Sequence, residues 1–258
     1  MNRVNVELDA WMTWLEARHL AELQFPEVSR ALRALSSAYV ERRQTAIAAG
    51  RVLDTAGKRA AFALYYGPLH FLATRHVLEA LDEARVHEAS PRPVIDLGCG
   101  TGAVGAAAAT SIGAHRIQGV EIHPWAVEEA RATYARFGLD GAVTRRTVAR
   151  IHLPGSPAFI VAGYVANELT EDDRTALLRT LTRAIRQGSD LLVLEPLSGR
   201  AAPWWPEWST ALAACGARAD TWTLTLDPPP LTRRLGLAAG LTPTLTKLRT
   251  IYAPGAIR

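Results

Sequence analysis

Cysteine and lysine are nearly missing from this chain. Its 258 residues hold two cysteines, Cys99 and Cys215, too few for a four-thiolate zinc or iron–sulfur centre, so no metal site is expected. Cys99 lies inside a glycine turn, which argues against a structural disulfide. No apolar run reaches the roughly 18 residues of a membrane span. The first residues carry Glu7, Asp9, Trp11 and Trp14 in place of a signal peptide's apolar stretch, and a cytoplasmic location is the expectation. A large excess of one charge is also missing: 29 Lys and Arg stand against 25 Asp and Glu, a net +4. Lys58 and Lys247 are the only lysines, so the positive charge is arginine. Arg131, Arg136, Arg145, Arg146 and Arg150 face Asp140 alone, and the tail sets Arg233, Arg234, Lys247, Arg249 and Arg258 against Asp227. These residues form either a basic rim that attracts phosphates or an ordinary solvated surface. The length and a hydrophobic content of 48% suffice for one large domain, or one domain with a small addition.

What is present is a strand that breaks into alternating glycines. Val94-Ile95-Asp96-Leu97 is a short apolar run with one acid, Gly98-Cys99-Gly100-Thr101-Gly102 follows, and Ala103 to Ala109 is alanine-rich. The pattern is strand, tight turn, helix. Such glycines admit backbone angles that side chains forbid and let a ligand lie on the main chain. The helix then opens with unpaired N–H groups. A nucleotide-like cofactor suits this place, and two fit the pattern. Gly100 to Gly105 satisfies the dinucleotide spacing G-x-G-x-x-G, with Glu121 where a ribose-binding acid belongs. That would make an NAD-dependent oxidoreductase. Asp96, however, sits before the turn, where an acid would repel a pyrophosphate. It would suit the cationic methionine part of S-adenosylmethionine, directly or through water.

Arg116 to Glu121 reads as a second strand ending in an acid able to accept both hydroxyls of a ribose. Ile122 would pack on the adenine, and Pro124 fits the first turn of the next helix. Strands are expected at 94–97, 117–121, 143–147, 159–164 and 190–195, and helices at 102–110, 124–137, 171–186 and 206–215. The alternation implies a parallel sheet covered on both faces, with ligands beyond the strands' C-terminal ends. Thr221 to Leu226 and Leu245 to Tyr252 are expected to pair as an antiparallel hairpin. Residues 1 to about 88 read as helical, in about four helices, with Ser90-Pro91-Arg92-Pro93 as the linker. The division expected is a helical cap region over 1–90 and a cofactor-binding domain over 91–258.

The run Asp96-Leu97-Gly98-Cys99-Gly100-Thr101-Gly102 resembles the first motif of class I S-adenosylmethionine-dependent methyltransferases. That resemblance implies an α/β, Rossmann-like sheet of parallel strands finished by an antiparallel hairpin, with S-adenosylmethionine as cofactor. It places Asp96, Gly98, Cys99, Gly100, Thr101 and Gly102 at the methionine part and Glu121 and Ile122 at the adenosine. In many members an Asp after the third strand holds the adenine amino group; here Thr147 and Val148 stand there. Gly163, Tyr164, Asn167 and Glu168 end the fourth strand, beside the transferred methyl. They lack the Pro-Pro-Tyr of amino-methylating relatives. Glu168 is either a proton acceptor or a structural acid at a helix start, with Tyr164 and Asn167 the other polar groups. Arg200 and Trp204 lie in the loop after the fifth strand, where Trp204 could stack a flat substrate or be buried with Trp205 and Trp208. Tyr65, Tyr66 and His70 interrupt the last N-terminal helix, where they either reach substrate or pack the core.

The order of the pieces resembles the ribosomal small-subunit-associated methyltransferases of bacteria and mitochondria. The matching residues are Ala61 to Leu69, the glycine motif, Val161 to Leu169 with Arg174 after it, and Leu192 to Pro196. This resemblance implies ribosomal RNA or a ribosome-associated protein as target, although the iron–sulfur cysteines of that family are missing. A small-molecule methyltransferase with a helical cap, or a cofactor-binding assembly factor without catalysis, would show the same features.

Overall fold

A computed structural model describes residues 3–41, 53–82, 92–197 and 202–255. Among these the chain divides into two compact units. One comprises Met1–His76 with Leu224–Thr246, and the other Val77–Thr223 with Lys247–Arg258.

In the first unit, α1 (Arg3–His19) and α2 (Phe25–Glu41) are followed by α3 (Ala56–Ala61), a π-helical turn (Phe62–Tyr66) and the start of α4 (Gly67–Asp82). Helix α2 begins beside Pro26, whose missing N–H costs nothing in a first turn, and Glu27 accepts from the Gln24 N–H at 2.7 Å. Trp11, Leu15, Leu32, Leu35 and Phe71 are fully buried, and the Trp11 and Phe71 rings lie 5.8 Å apart. The break expected at Tyr65 to His70 is the π-turn, and its physical reason is Pro68. A proline cannot donate to the carbonyl four residues back, which is that of Leu64. The Thr232 hydroxyl donates to that carbonyl instead, at 2.8 Å. Thr232 belongs to α9 (Pro230–Ala238), which is why this late segment joins the N-terminal helices. Arg33 adds a bond to the Ala238 carbonyl at 2.8 Å. A single division near residue 90 therefore does not describe the contacts. Ser90 and Pro91 of the expected linker lie outside the described residues.

The second unit holds the sheet. Strands β1 (Val94–Leu97), β2 (Arg116–Glu121), β3 (Asp140–Arg145), β4 (Phe159–Gly163), β5 (Asp190–Pro196), β6 (Arg218–Thr225) and β7 (Leu245–Ala253) are ordered β3-β2-β1-β4-β5-β7-β6. The first five are parallel, and β7 runs antiparallel to β5 with Glu195 opposite Arg249. The order reverses between β1 and β4, the switch point at which such sheets bind ligands. Strand β3 begins three residues earlier than expected. Asp140-Gly141 reads locally as a turn, but pairing of Asp140 with Arg116 extends the ladder.

Helices α5 (Ala103–Ile112) and α6 (Pro124–Arg136) cover the sheet face that carries Asp96. Helices α7 (Glu171–Arg186) and α8 (Trp205–Ala213) cover the other, where Ile95, Leu97, Ile160, Leu181, Val193, Trp208 and Ile251 share one apolar cluster. Helix α7 is capped as its sequence requires: Thr170 accepts from the Asp173 N–H at 3.2 Å, and acids fill its first turn and arginines its last. No described helix is long and apolar enough to cross a membrane.

The Leu64 carbonyl gives a direct test of the join within the first unit. Thr232→Val keeps the volume and removes the donor, leaving a buried carbonyl unpaired. It should lower the unfolding free energy by about 1–3 kcal/mol, read as an earlier urea midpoint at unchanged slope. An unchanged midpoint would show that the bond contributes nothing.

Candidate active site

The glycine turn has the backbone that its sequence demands. Gly98, Gly100 and Gly102 have φ of 66°, 53° and 80°, the left-handed region that favours glycine. A Cβ on Gly98 would stand 2.2 Å from Val165 Cγ2, and one on Gly102 2.9 Å from the Tyr134 ring, so the turn is also closely packed. The Gly98 and Cys99 N–H groups both donate to the Val120 carbonyl, at 2.8 and 3.1 Å. Cys99 and Thr101 are buried, and both cysteines are free thiols.

Asp96 is 1% exposed. Its Oδ2 accepts from the Gly105 N–H at 3.0 Å and from the Tyr134 hydroxyl at 2.9 Å. The carboxylate thus caps the first turn of α5 from the neighbouring strand and holds α6 to the same point. Its Oδ1 is buried without a hydrogen-bond partner. Asp96, expected to serve the methionine part directly or through water, lies beneath the turn with one oxygen uncommitted. Gly105, the third glycine of the dinucleotide spacing, is explained by the same contact, since a Cβ there would stand 2.2 Å from Asp96 Oδ2.

Glu121 ends β2 and closes the turn from the other side. Its Oε2 accepts from the Gly100 N–H at 3.0 Å. Its Oε1 accepts from the N–H groups of Ile122 and His123, at 2.7 and 2.8 Å. Ile122 beside it is 65% exposed, an unusual position for a large apolar side chain at a strand end. Val148 is buried in the apolar cluster, so only its backbone can meet a ligand. The Thr147 hydroxyl accepts from the Ala149 N–H at 3.4 Å. Gly163 is a packing glycine, with its Cβ position 2.9 Å from Val104.

Beyond β4 the backbone is strained. Tyr164 is the one described non-glycine residue with positive φ, 62°, a conformation that costs energy and persists only where surroundings enforce it. Burial, with the charge of Glu195, pushes its hydroxyl pKa well up, so Tyr164 stays neutral. Asn167 is buried and committed. Its N–H and Nδ2 both donate to the Glu195 carboxylate, the latter at 2.5 Å. Its Oδ1 accepts from Trp204 Nε1 at 2.9 Å. Glu195 is 0% exposed and also accepts from the Ala166 N–H at 2.9 Å. Asn167 is therefore a link in a network. Glu168, in the 3₁₀ turn Ala166–Glu168, is exposed.

Several expectations are corrected. Trp204 is 6% exposed and bonded to Asn167, so it builds the site's wall and offers no stacking face. Arg249 is 9% exposed and belongs to no surface rim. Arg233 pairs with Asp227 and Arg234 lies over Phe25, both in the first unit. Tyr65, Tyr66 and His70 also lie in the first unit. There Phe62, Tyr66 and His70 stack at 5.8 to 6.4 Å, and burial lowers the His70 pKa to about 3, keeping it neutral. Arg200 and Arg258 lie outside the described residues. Sequence reading missed Glu195, Tyr134 and the burial of Arg249. Tyr134 read as part of an apolar stripe, and only the fold shows where its hydroxyl goes.

Comparison with known proteins agrees with this geometry. Residues 94–188 match the family described as "Methyltransferase domain", which is the general domain and not the ribosome-associated family. No curated protein matches the chain. Among solved structures, the methyltransferase domain of bacterial CtHen1-C is 15% identical with a TM-score of 0.50, covering 73% of this chain and 100% of that one. The related CtHen1-CN domain is 13% identical at 0.50, covering 72% and 99%. A SAM-dependent methyltransferase from Aquifex aeolicus is 17% identical at 0.49, covering 74% and 93%. At these identities the two CtHen1 domains speak to the fold alone, which is the Rossmann-like methyltransferase fold. The family match points to methyl transfer as the class of chemistry for residues 94–188.

Burial raises the Asp96 pKa from 3.8 to about 7, against the bonds from Tyr134 and Gly105, with a smaller push from the charge of Glu121. Between those values the folded protein holds a proton that the unfolded chain releases. The ligand-free protein should therefore lose stability as pH rises from about 4 to 7, with the cost complete above 7. Asp96→Asn keeps an acceptor for Gly105 and Tyr134 without that titration. Its stability relative to wild type should rise by on the order of a few kcal/mol between pH 4 and 8. Urea unfolding across that range measures it, and a pH-independent difference would show that Asp96 titrates normally.

Proposed function

We propose that this protein transfers the methyl group of S-adenosylmethionine to a small acceptor bound beyond the C-terminal ends of β4 and β5. The cofactor supplies a methyl group already activated on a sulfonium, so the chain's work is binding, orientation and exclusion of water. The residues fit that cofactor. The three glycines of the turn at Gly98–Gly102 hold the left-handed backbone, the buried Asp96 Oδ1 is uncommitted, and Ile122 offers an exposed apolar face. In this reading the turn and Asp96 hold the methionine part. Glu121 receives ribose hydroxyls on its remaining lone pairs, Ile122 packs on adenine, and the backbone at Thr147 and Val148 borders its edge.

The observation that carries the acceptor's placement is the strained Tyr164 beside the buried Asn167–Glu195–Trp204 network. Strain of this kind concentrates at functional sites. Tyr164 orients the acceptor, Asn167 and Glu195 hold the wall, and Glu168, exposed in the same turn as Asn167, takes a proton from it.

A second reading, ribosomal RNA or a ribosome-associated target, draws on the exposed Arg145 that ends β3 and the exposed Arg146 and Arg150 after it. It requires binding of small-subunit RNA that weakens steeply with salt; salt-insensitive or absent binding excludes it.

The first test is calorimetric titration with S-adenosylmethionine, with NAD as a control. Micromolar binding of S-adenosylmethionine alone is expected, and Glu121→Ala should weaken it at least tenfold while the fold is retained. Binding of NAD in its place would return the site to redox chemistry. Tight cofactor binding without turnover on any acceptor would point to an assembly factor.

A further inference from the structure

Arg249 is a buried cation next to this site with two nitrogens, Nε and Nη2, that lack acceptors among the described residues. It lies on β7 opposite Glu195, and its guanidinium carbon stands 4.3 Å from the centroid of the Trp205 ring. The side chain is 9% exposed. Its Nε and Nη2 are buried with no hydrogen-bond partner. Those two nitrogens present parallel N–H bonds on one edge of the guanidinium, the fork that matches the two oxygens of a carboxylate.

The neighbourhood explains why the fork has no partner among the described residues. Glu195, the nearby counter-charge, accepts from Ala166 N–H and from the N–H and Nδ2 of Asn167. It supports the Arg249 charge through space, and desolvation works against that charge. Trp205 covers one face of the guanidinium and fixes its plane, a cation–π contact that orients the edge. Buried polar groups are nearly always hydrogen-bonded, and a buried arginine with an unused fork is a group whose partner comes from outside the chain.

We infer that Arg249 is the recognition residue for a carboxylate on the acceptor substrate, bound edge-on through Nε and Nη2. This rests on the reading of the site as a small-acceptor methyltransferase and names the acceptor's class: an organic acid, methylated at an atom other than the carboxylate that Arg249 holds. The cofactor also carries a carboxylate, so the test must separate the two sources.

The test uses the full chain with S-adenosylhomocysteine bound, following tryptophan fluorescence. Benzoate, cinnamate and octanoate are each titrated against their carboxamides, and affinity for S-adenosylmethionine is measured by calorimetry on the same samples. Saturable binding is expected for at least one acid, at least tenfold tighter than its amide. Arg249→Gln should abolish the preference while affinity for S-adenosylmethionine stays within twofold. Arg249→Lys, which keeps the charge and loses the planar fork, should lose at least tenfold in acid binding. It carries the test if the Gln variant does not fold. Equal binding of acids and amides overturns the inference, as does no saturable binding of any acid to wild type. A tenfold loss of S-adenosylmethionine affinity in the variants also overturns it, by assigning the fork to the cofactor. Wild type that fails to bind S-adenosylmethionine would instead sink the underlying functional reading.

Discussion

One buried carboxylate organises the catalytic unit. Asp96 sits in the first strand of the sheet and accepts from Gly105 of α5 and Tyr134 of α6 through a single oxygen. It thereby sets how closely two helices approach β1. The approach is so tight that position 105 admits only glycine. The left-handed turn between Gly98 and Gly102 is the short path from that strand to that helix. Burying an acid in this way costs energy, visible in its raised pKa. The cost is offset by the helix N-terminus it caps and the hydroxyl it receives. The shape of the cofactor turn follows from this anchoring more than from any contact within the turn itself.

Glu121 and Glu195 repeat the device at neighbouring strand ends. Each carboxylate gathers backbone N–H groups from the segment after a parallel strand: Gly100, Ile122 and His123 for Glu121, Ala166 and Asn167 for Glu195. Loops beyond parallel strands have no ladder to satisfy their amides. An acid placed at each strand end supplies the missing acceptors and fixes the loop. The loops at these strand ends therefore have their backbone amides held by charge. Arg249 and Trp205 add an oriented cation beside the last of these acids.

The helical unit follows a different rule. Its long helix tolerates Pro68 because Thr232, far along the chain, takes over the carbonyl that the proline leaves unpaired. This joins residues 224–246 to the N-terminal helices and divides the chain into discontinuous units. A reading that followed the chain in order placed that segment with the sheet, since nothing local to Pro230–Ala238 names its neighbour.

What the sequence by itself determined is what short-range chemistry controls. Alternating glycines dictate a left-handed turn, and Thr170 with its following acids starts a helix at Glu171. An apolar run with β-branched residues makes a buried parallel strand. Hence the fold and the span of α7 were legible from residues adjacent in the chain. The tertiary structure alone decided which polar atoms meet across distance. Tyr134, read as one more apolar position on a helix, turns its hydroxyl to Asp96. Trp204 spends its indole N–H on Asn167. Arg249, one arginine among many in the tail, is buried opposite Glu195 by the antiparallel register of β7. Hydrophobic periodicity records which face of an element is covered; it carries no record of the partner on the other side.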